Sequence, residues 1–275
     1  MKQFLINPVL NKEFKLRFRS FRTFLGLSSY LVAIGIVVIG YILMSRLING
    51  GSQFVRPEES RLMFMILAYI QLGLVLFITP GLTAGVISGE REKQTLNILL
   101  TTVQSSTSII LSKLTSSISY LLLMIIASLP FYSIVFLFGG VSPITLVKIF
   151  GFYLFSIFVF GSFGVFFSTM IRRTIVAMIS TYGISLFLTG GTAFLYMITT
   201  GYTMSQNAAV FFPYIFAIFN PVMAFTVLFE PDMNEFITTQ TGVSFPFIWS
   251  YFIVYSMLAI VALLISIKRL RPKMR

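Results

Sequence analysis

Long runs without a single charge alternate along this chain with short charge-bearing segments. The runs are 23–45, 62–89, 114–147, 149–171, 174–229 and 236–267. Each exceeds the roughly 20 apolar residues that a helix needs to cross a bilayer core, where no water satisfies an open backbone. The pattern predicts an all-α membrane protein with six transmembrane helices, near 24–45, 62–88, 114–138, 149–171, 174–199 and 246–267. The first run is longer than the apolar region of a secretory signal, about 7–15 residues, and lacks a small-residue cleavage site, so it reads as a retained helix.

The run 174–229 has room for two spans, because 211–229 is itself uncharged. Pro213 and the pair Asn220-Pro221 interrupt it, and each proline removes a backbone donor. A seventh span would also export a strongly basic tail. We therefore expect a re-entrant or interfacial helical hairpin before the sixth span, within an extracellular loop 200–245, with the seven-span arrangement as the alternative.

Composition agrees with the pattern. Of 275 residues, 57% are hydrophobic and 31 are Phe, while 10% are charged and the mean hydropathy is +0.93. A soluble domain is about a quarter charged. The charge that remains is 20 Lys or Arg against 8 Asp or Glu. Counted over alternate flanks, Lys and Arg divide sixteen to four, and short basic loops stay cytoplasmic. Both termini are thus expected in the cytoplasm. With no His and no Cys, the chain has no imidazole or thiolate metal site, no Cys or His catalysis and no disulfide.

The amino terminus predicts an amphipathic elbow over 1–22. Asn7-Pro8 is a helix-start signal, with Asn as cap and Pro at the first position, where its missing donor costs nothing. At 100° per residue Leu10, Phe14, Phe18 and Phe21 share one quadrant, while Lys12, Lys15, Arg19 and Arg22 lie opposite. Such a helix lies on the inner leaflet with its aromatic face at the acyl boundary and its cations at anionic headgroups. An ordinary basic flank is the alternative.

The segment after the second span is the most informative. Gly89 leads into Glu90-Arg91-Glu92-Lys93-Gln94-Thr95-Leu96-Asn97-Ile98-Leu99-Leu100. Leu96, Leu99, Leu100 and Val103 follow the i, i+3, i+4, i+7 template, and Glu90 and Glu92 fall where a first helical turn favours carboxylates. A cytoplasmic helix over 90–103 is expected, acidic at its start and apolar on one side. This segment resembles the first cytoplasmic loop of the permease subunits of type-2 ABC exporters. Their pattern of Gly-Glu-Arg-Glu, Gly-Thr-Leu-Glu and Leu-Leu-x-Thr-Pro is met at Gly89 to Glu92, Thr95-Leu96 and Leu99-Leu100. Gln94 replaces the family's glycine, Asn97 its second acid and Val103 its proline.

The resemblance extends to the Asn-Pro start, the basic elbow, the six spans and the broken hairpin. It implies a single permease domain over 1–275, whose loop 89–105 is the coupling helix between spans two and three. Glu90, Arg91, Glu92, Thr95, Leu96, Leu99 and Leu100 would then dock in a groove of a separate ABC ATPase, present in two copies. A second permease chain would complete a homodimer or heterodimer in a bacterial plasma (inner) membrane. No cofactor is expected on this chain; ATP and Mg belong to the partner, and no nucleic acid is involved. The substrate would be amphipathic or hydrophobic: a peptide, an antibiotic or a lipid-like molecule.

Other classes fare worse. No Gly-x-x-x-x-Gly-Lys-Ser/Thr cradles a phosphate, and the uncharged runs offer no proton relay. Sodium coupling through backbone and hydroxyl oxygens is not excluded by that argument. Paired acids for intramembrane proteolysis, a zinc motif and metal-binding acidic clusters are all absent. A membrane scaffold or pore without an ATPase remains the rival, and it would need no coupling helix. Gly81 and Gly85 form a small-x-x-x-small pair suited to close helix approach, within one subunit or between two. Pro80 and Pro130 predict bends. Thr181, Ser185, Thr189 and Thr192 form a hydroxyl stripe on the fifth span. The stripe could line a path in a dimer, or each hydroxyl could bond back to its own helix.

Overall fold

The computed structural model describes residues 20–48, 57–96, 105–137, 139, 141–206, 211–243 and 245–270. Among these there is no strand. The helices are α1 (Phe21–Ile48), α2 (Pro57–Thr83), α3 (Ser88–Glu92), α4 (Ser106–Leu137), α5 (Pro143–Met170) and α6 (Thr174–Leu186). A π-helical turn, Phe187–Gly191, carries α6 into α7 (Thr192–Gln206), followed by α8 (Phe212–Ile218), α9 (Pro221–Phe229), α10 (Pro231–Thr241) and α11 (Phe247–Leu270).

Six stretches are long and apolar enough to cross a bilayer: Thr23–Leu47, Glu58–Glu92, Ser106–Phe136, Pro143–Met170, Thr174–Thr203 and Phe247–Leu270. The predicted spans are therefore present. All but Thr174–Thr203 take in a charged residue at one end or both, because a helix continues through the headgroup layer, where charge is tolerated. Thus α4 begins at Ser106 and takes buried Lys113 into its first turns. Glu58–Glu92 has 35 residues, on the order of 50 Å at helical rise against a core of about 30 Å, so its charged ends lie outside the core. The elbow residues Lys12, Phe14, Lys15, Phe18 and Arg19 fall outside the described residues. Phe21 is instead the exposed first residue of α1, with its ring 6.4 Å from that of Phe24.

Two compact units emerge, 1–75 with 111–154, and 76–110 with 155–275. In the first, buried polar side chains stitch apolar helices together. Tyr153 Oη donates to the carbonyl of Ala68 at 2.8 Å, so in the 3.2 Å contact between the two hydroxyls Tyr132 is the donor. Ser60 Oγ reaches the Val135 carbonyl at 2.9 Å and Gln71 Nε2 reaches Ser128 Oγ at 3.3 Å. Each buried polar group so paired avoids the desolvation penalty of an orphan, on the order of 1–3 kcal/mol.

In the second unit α2 and α6 lie against each other through the predicted glycines. A Cβ on Gly81 would come within 2.7 Å of the Tyr182 hydroxyl, and one on Gly85 within 3.1 Å of the Thr174 methyl and 3.2 Å of Met178. The pair packs helices of the same chain, the intramolecular option the sequence left open.

The run 211–229 is not one straight helix. Helices α8 and α9 turn by 89° at Asn220-Pro221, where Asn220 adopts an extended conformation and caps α9. One helix, α10, was not expected. Its signals were nonetheless present: Pro231 at the first position, Asp232 in the first turn, and Gly242, whose φ of 69° closes the far end.

Candidate functional site: the loop after the second span

The expected helix over 90–103 does not run through. It ends at Glu92, and Gln94 takes a left-handed φ of 57°. The amide of Thr95 donates to the Glu90 carbonyl at 3.0 Å, and that of Gln94 to the Arg91 carbonyl at 3.1 Å. These are the two bonds of a Schellman stop, in which glycine is the usual left-handed residue. Helical periodicity in the side chains cannot reveal such a stop. The next described helical residue is Leu96, while Leu99 and Leu100 lie outside the described residues.

The break relocates Glu92. Expected in the first turn of its own helix, it stands at the end, and its carboxylate serves a different helix. Thr174 N donates to Glu92 Oε1 at 2.8 Å and Thr174 Oγ1 to Oε2 at 2.7 Å. The residue before Thr174, Arg173, makes no side-chain cap for α6, so Glu92 supplies the anion that a helix start favours. Those two bonds, the backbone one first, hold the Glu92 carboxyl below its ordinary range, and Arg173 adds to the effect.

Two further helix ends meet here. Arg91 Nη2 donates at 3.2 Å to the Thr169 carbonyl, near the carboxyl end of α5, where a cation suits the helix dipole. Burial, then the nearby charge of Arg172, lowers the pKa of this guanidinium, though not enough to discharge it. In return Ser168 Oγ accepts from Ile87 N at 2.8 Å and Ser88 N at 2.9 Å, satisfying the open donors at the start of α3. Thus α3 is capped from α5, α6 is capped from α3, and the end of α5 is closed by Arg91.

Of the residues predicted for docking, Glu90, Arg91, Glu92, Thr95 and Leu96 lie in the described segment. Thr95 Oγ1 bonds the Glu90 carboxylate, and Leu96 is buried. Lys93, Gln94 and Thr95 are exposed. Over residues 7–271 the chain matches the family model described as ABC-2 family transporter protein. The chain belongs to the ABC-2 transporter family. It is accordingly a permease component of an ABC transporter, a multi-pass membrane protein and not itself a P-loop ATPase. No curated protein matches it.

Sequence reading missed Ser168, Thr169 and Thr174 as partners of this ABC-2 loop. A signal existed for Thr174: a span beginning Arg172-Arg173-Thr174 has no capping side chain at its Arg173 cap position. The hydroxyl stripe lies among the described residues. Thr181, Ser185, Thr189 and Thr192 donate to the carbonyls four residues earlier, at 2.7, 2.9, 2.9 and 2.7 Å. Thr181, Ser185 and Thr192 are buried within the chain.

The far half of the fifth span carries a second polar junction. The π-helical turn Phe187–Gly191 interrupts the α-helical bonding of this span. Asn220 Nδ2 donates to the Thr189 carbonyl at 2.8 Å and to Thr192 Oγ1 at 3.0 Å, while Oδ1 accepts from Val222 N and Met223 N at 2.8 and 3.1 Å. One fully buried amide thus closes the π turn and starts α9.

Proposed function

We propose that the chain is the membrane-spanning half of an ATP-driven exporter, and that segment 89–105 docks on a separate ABC ATPase. The observation that carries this reading is the anchoring of α3 to two other helix ends. A loop fixed in this way passes a push on to its partners, whereas a free interfacial loop dissipates it. Membership of the ABC-2 family and the lack of a P-loop support placing ATP and Mg on the partner. Two ATPase subunits would act on a dimer of permeases, identical or not, and closure of the ATPase pair would rock the dimer between inward- and outward-open states.

In this reading the exposed Lys93, Gln94 and Thr95, with Leu99 and Leu100, meet the ATPase, and Leu96 supports them from within. Glu90, Arg91 and Glu92 set the loop's pose. The sixteen to four division of basic residues supports a cytoplasmic loop and cytoplasmic termini in a bacterial plasma membrane, with 1–22 as the surface elbow. Helices α8 and α9 form the re-entrant hairpin on the outer side. The substrate is amphipathic or hydrophobic, because no acidic side chain lies within the uncharged runs to select a small cation. The stripe from Thr181 to Thr192 serves helix packing first, since its hydroxyls are already bonded, and a path along it would require them to be shared with substrate.

Docking is tested on the full-length chain carrying Leu99→Asp and Leu100→Asp together. Loss of the co-purifying ATPase with membrane insertion intact is the expected result. Retained ATPase would move the contact elsewhere, and a wild-type chain that captures no ATPase would favour the scaffold reading.

A further inference from the structure

Proposed docking leaves open where a push on the loop goes next, and the capping geometry answers that question. Six bonds tie α3 and the preceding Ile87 to the end of α5 and the start of α6: two amides into Ser168 Oγ, one between the Ser88 and Ser168 hydroxyls, one from Arg91, and two into the Glu92 carboxylate. Beyond them, Gly85 and Gly81 keep α2 against α6 up to Tyr182, whose ring also lies 5.3 Å from that of Phe77. All of these residues belong to one compact unit. The segment 93–96 leaves α3 through a left-handed residue, Gln94, and its Lys93 is exposed.

We infer that Glu92 is a positioning residue for coupling: by capping α6 while Ser168 caps α3, it makes the loop and the first turns of the fifth span a single lever. This inference rests on the docking reading above. Motion delivered to 89–96 then reaches Thr174 directly and travels along α6 to the π turn at 187–191. That distance is about 20 Å at 1.5 Å per residue. The fifth span, rather than the third that follows the loop in sequence, is the first to move.

The test compares wild type, Thr174→Val, Glu92→Gln and the double variant, each as the full-length chain with its co-purifying ATPase, by hydrogen exchange. Valine keeps the shape of threonine and removes only the hydroxyl donor; glutamine keeps one acceptor and removes the charge. Without nucleotide, each single variant should speed exchange in 174–182 by about threefold to tenfold, as loss of a cap does. The double variant should add little to either, since both changes remove one contact. With ATP and Mg, wild type should change exchange in 88–96 and in 174–182, whereas the variants should keep the first response and lose the second. Responses of equal size in both segments of the double variant would overturn the lever while leaving docking intact. Absence of any nucleotide response at 88–96 in wild type would overturn docking, and the coupling role with it.

Discussion

Two polar junctions sit on the fifth span, and they are built from opposite materials. At its start an exposed carboxylate, Glu92, holds Thr174 beside the charge of Arg173. Some 15 residues on, a neutral amide with no solvent exposure, Asn220, holds Thr189, Thr192 and the first amides of α9. Water competes for both bonds of the first and far less for those of the second, whose amide is fully buried. The exposed junction is therefore the weaker of the two, and it is titratable. The buried one is costly to open and fixes the hairpin to the span.

The largest effect expected from this contrast comes from Asn220→Ala. It leaves the Thr189 carbonyl and two amide donors of α9 without their partner, and should lower stability by about 2–4 kcal/mol. Thermal unfolding in detergent measures this, and a change within 0.5 kcal/mol would mean that the π turn closes without the amide.

A smaller effect, at the other junction only, should follow acidification. Glu92 has its carboxyl lowered from an ordinary 4.5. A lowered folded value means that its contribution is complete above the ordinary value and disappears as pH falls through the folded one. Protection factors in 174–182 should hold constant from pH 7 to about 5 and decline below about 4.5, while those around Asn220 stay level. Glu92→Gln should abolish the decline; a decline that persists in that variant would assign it to another group.

The smallest effect concerns Gln94. Glycine there relieves the strain of a left-handed side-chain residue, roughly 1 kcal/mol, and loses about as much through unfolded-chain entropy. Gln94→Gly should thus change stability by less than about 1 kcal/mol and leave the loop's fold unaltered. A larger loss would mean that the Gln94 side chain makes a contact of its own.

The same contrast marks what the sequence could disclose. Spans were legible because long uncharged runs permit only closed backbone in a bilayer, and the bend at Asn220-Pro221 was legible because proline removes a donor. The stop at Gln94 was not, because left-handed closure by a non-glycine residue leaves the leucine period undisturbed. Only the family's glycine at that position hinted at it. Nor was the Glu92 junction visible: its partners lie about 80 residues away, and Glu90 and Glu92 suited a dipole argument for their own helix equally well. Asn220 was noticed as an interruption, but its bond to Thr189 depends on a π turn that no periodicity signals.

The most direct measurement is site-specific cross-linking, made clean by the absence of cysteine. Single cysteines replace exposed Lys93, on the loop, or exposed Glu235, on α10, and each full-length chain is purified with its ATPase and treated with a short thiol-reactive photo-cross-linker. The account predicts an adduct with the ATPase from position 93 and none from position 235. An adduct from 235, or none from 93 in a complex that contains the ATPase, would contradict it.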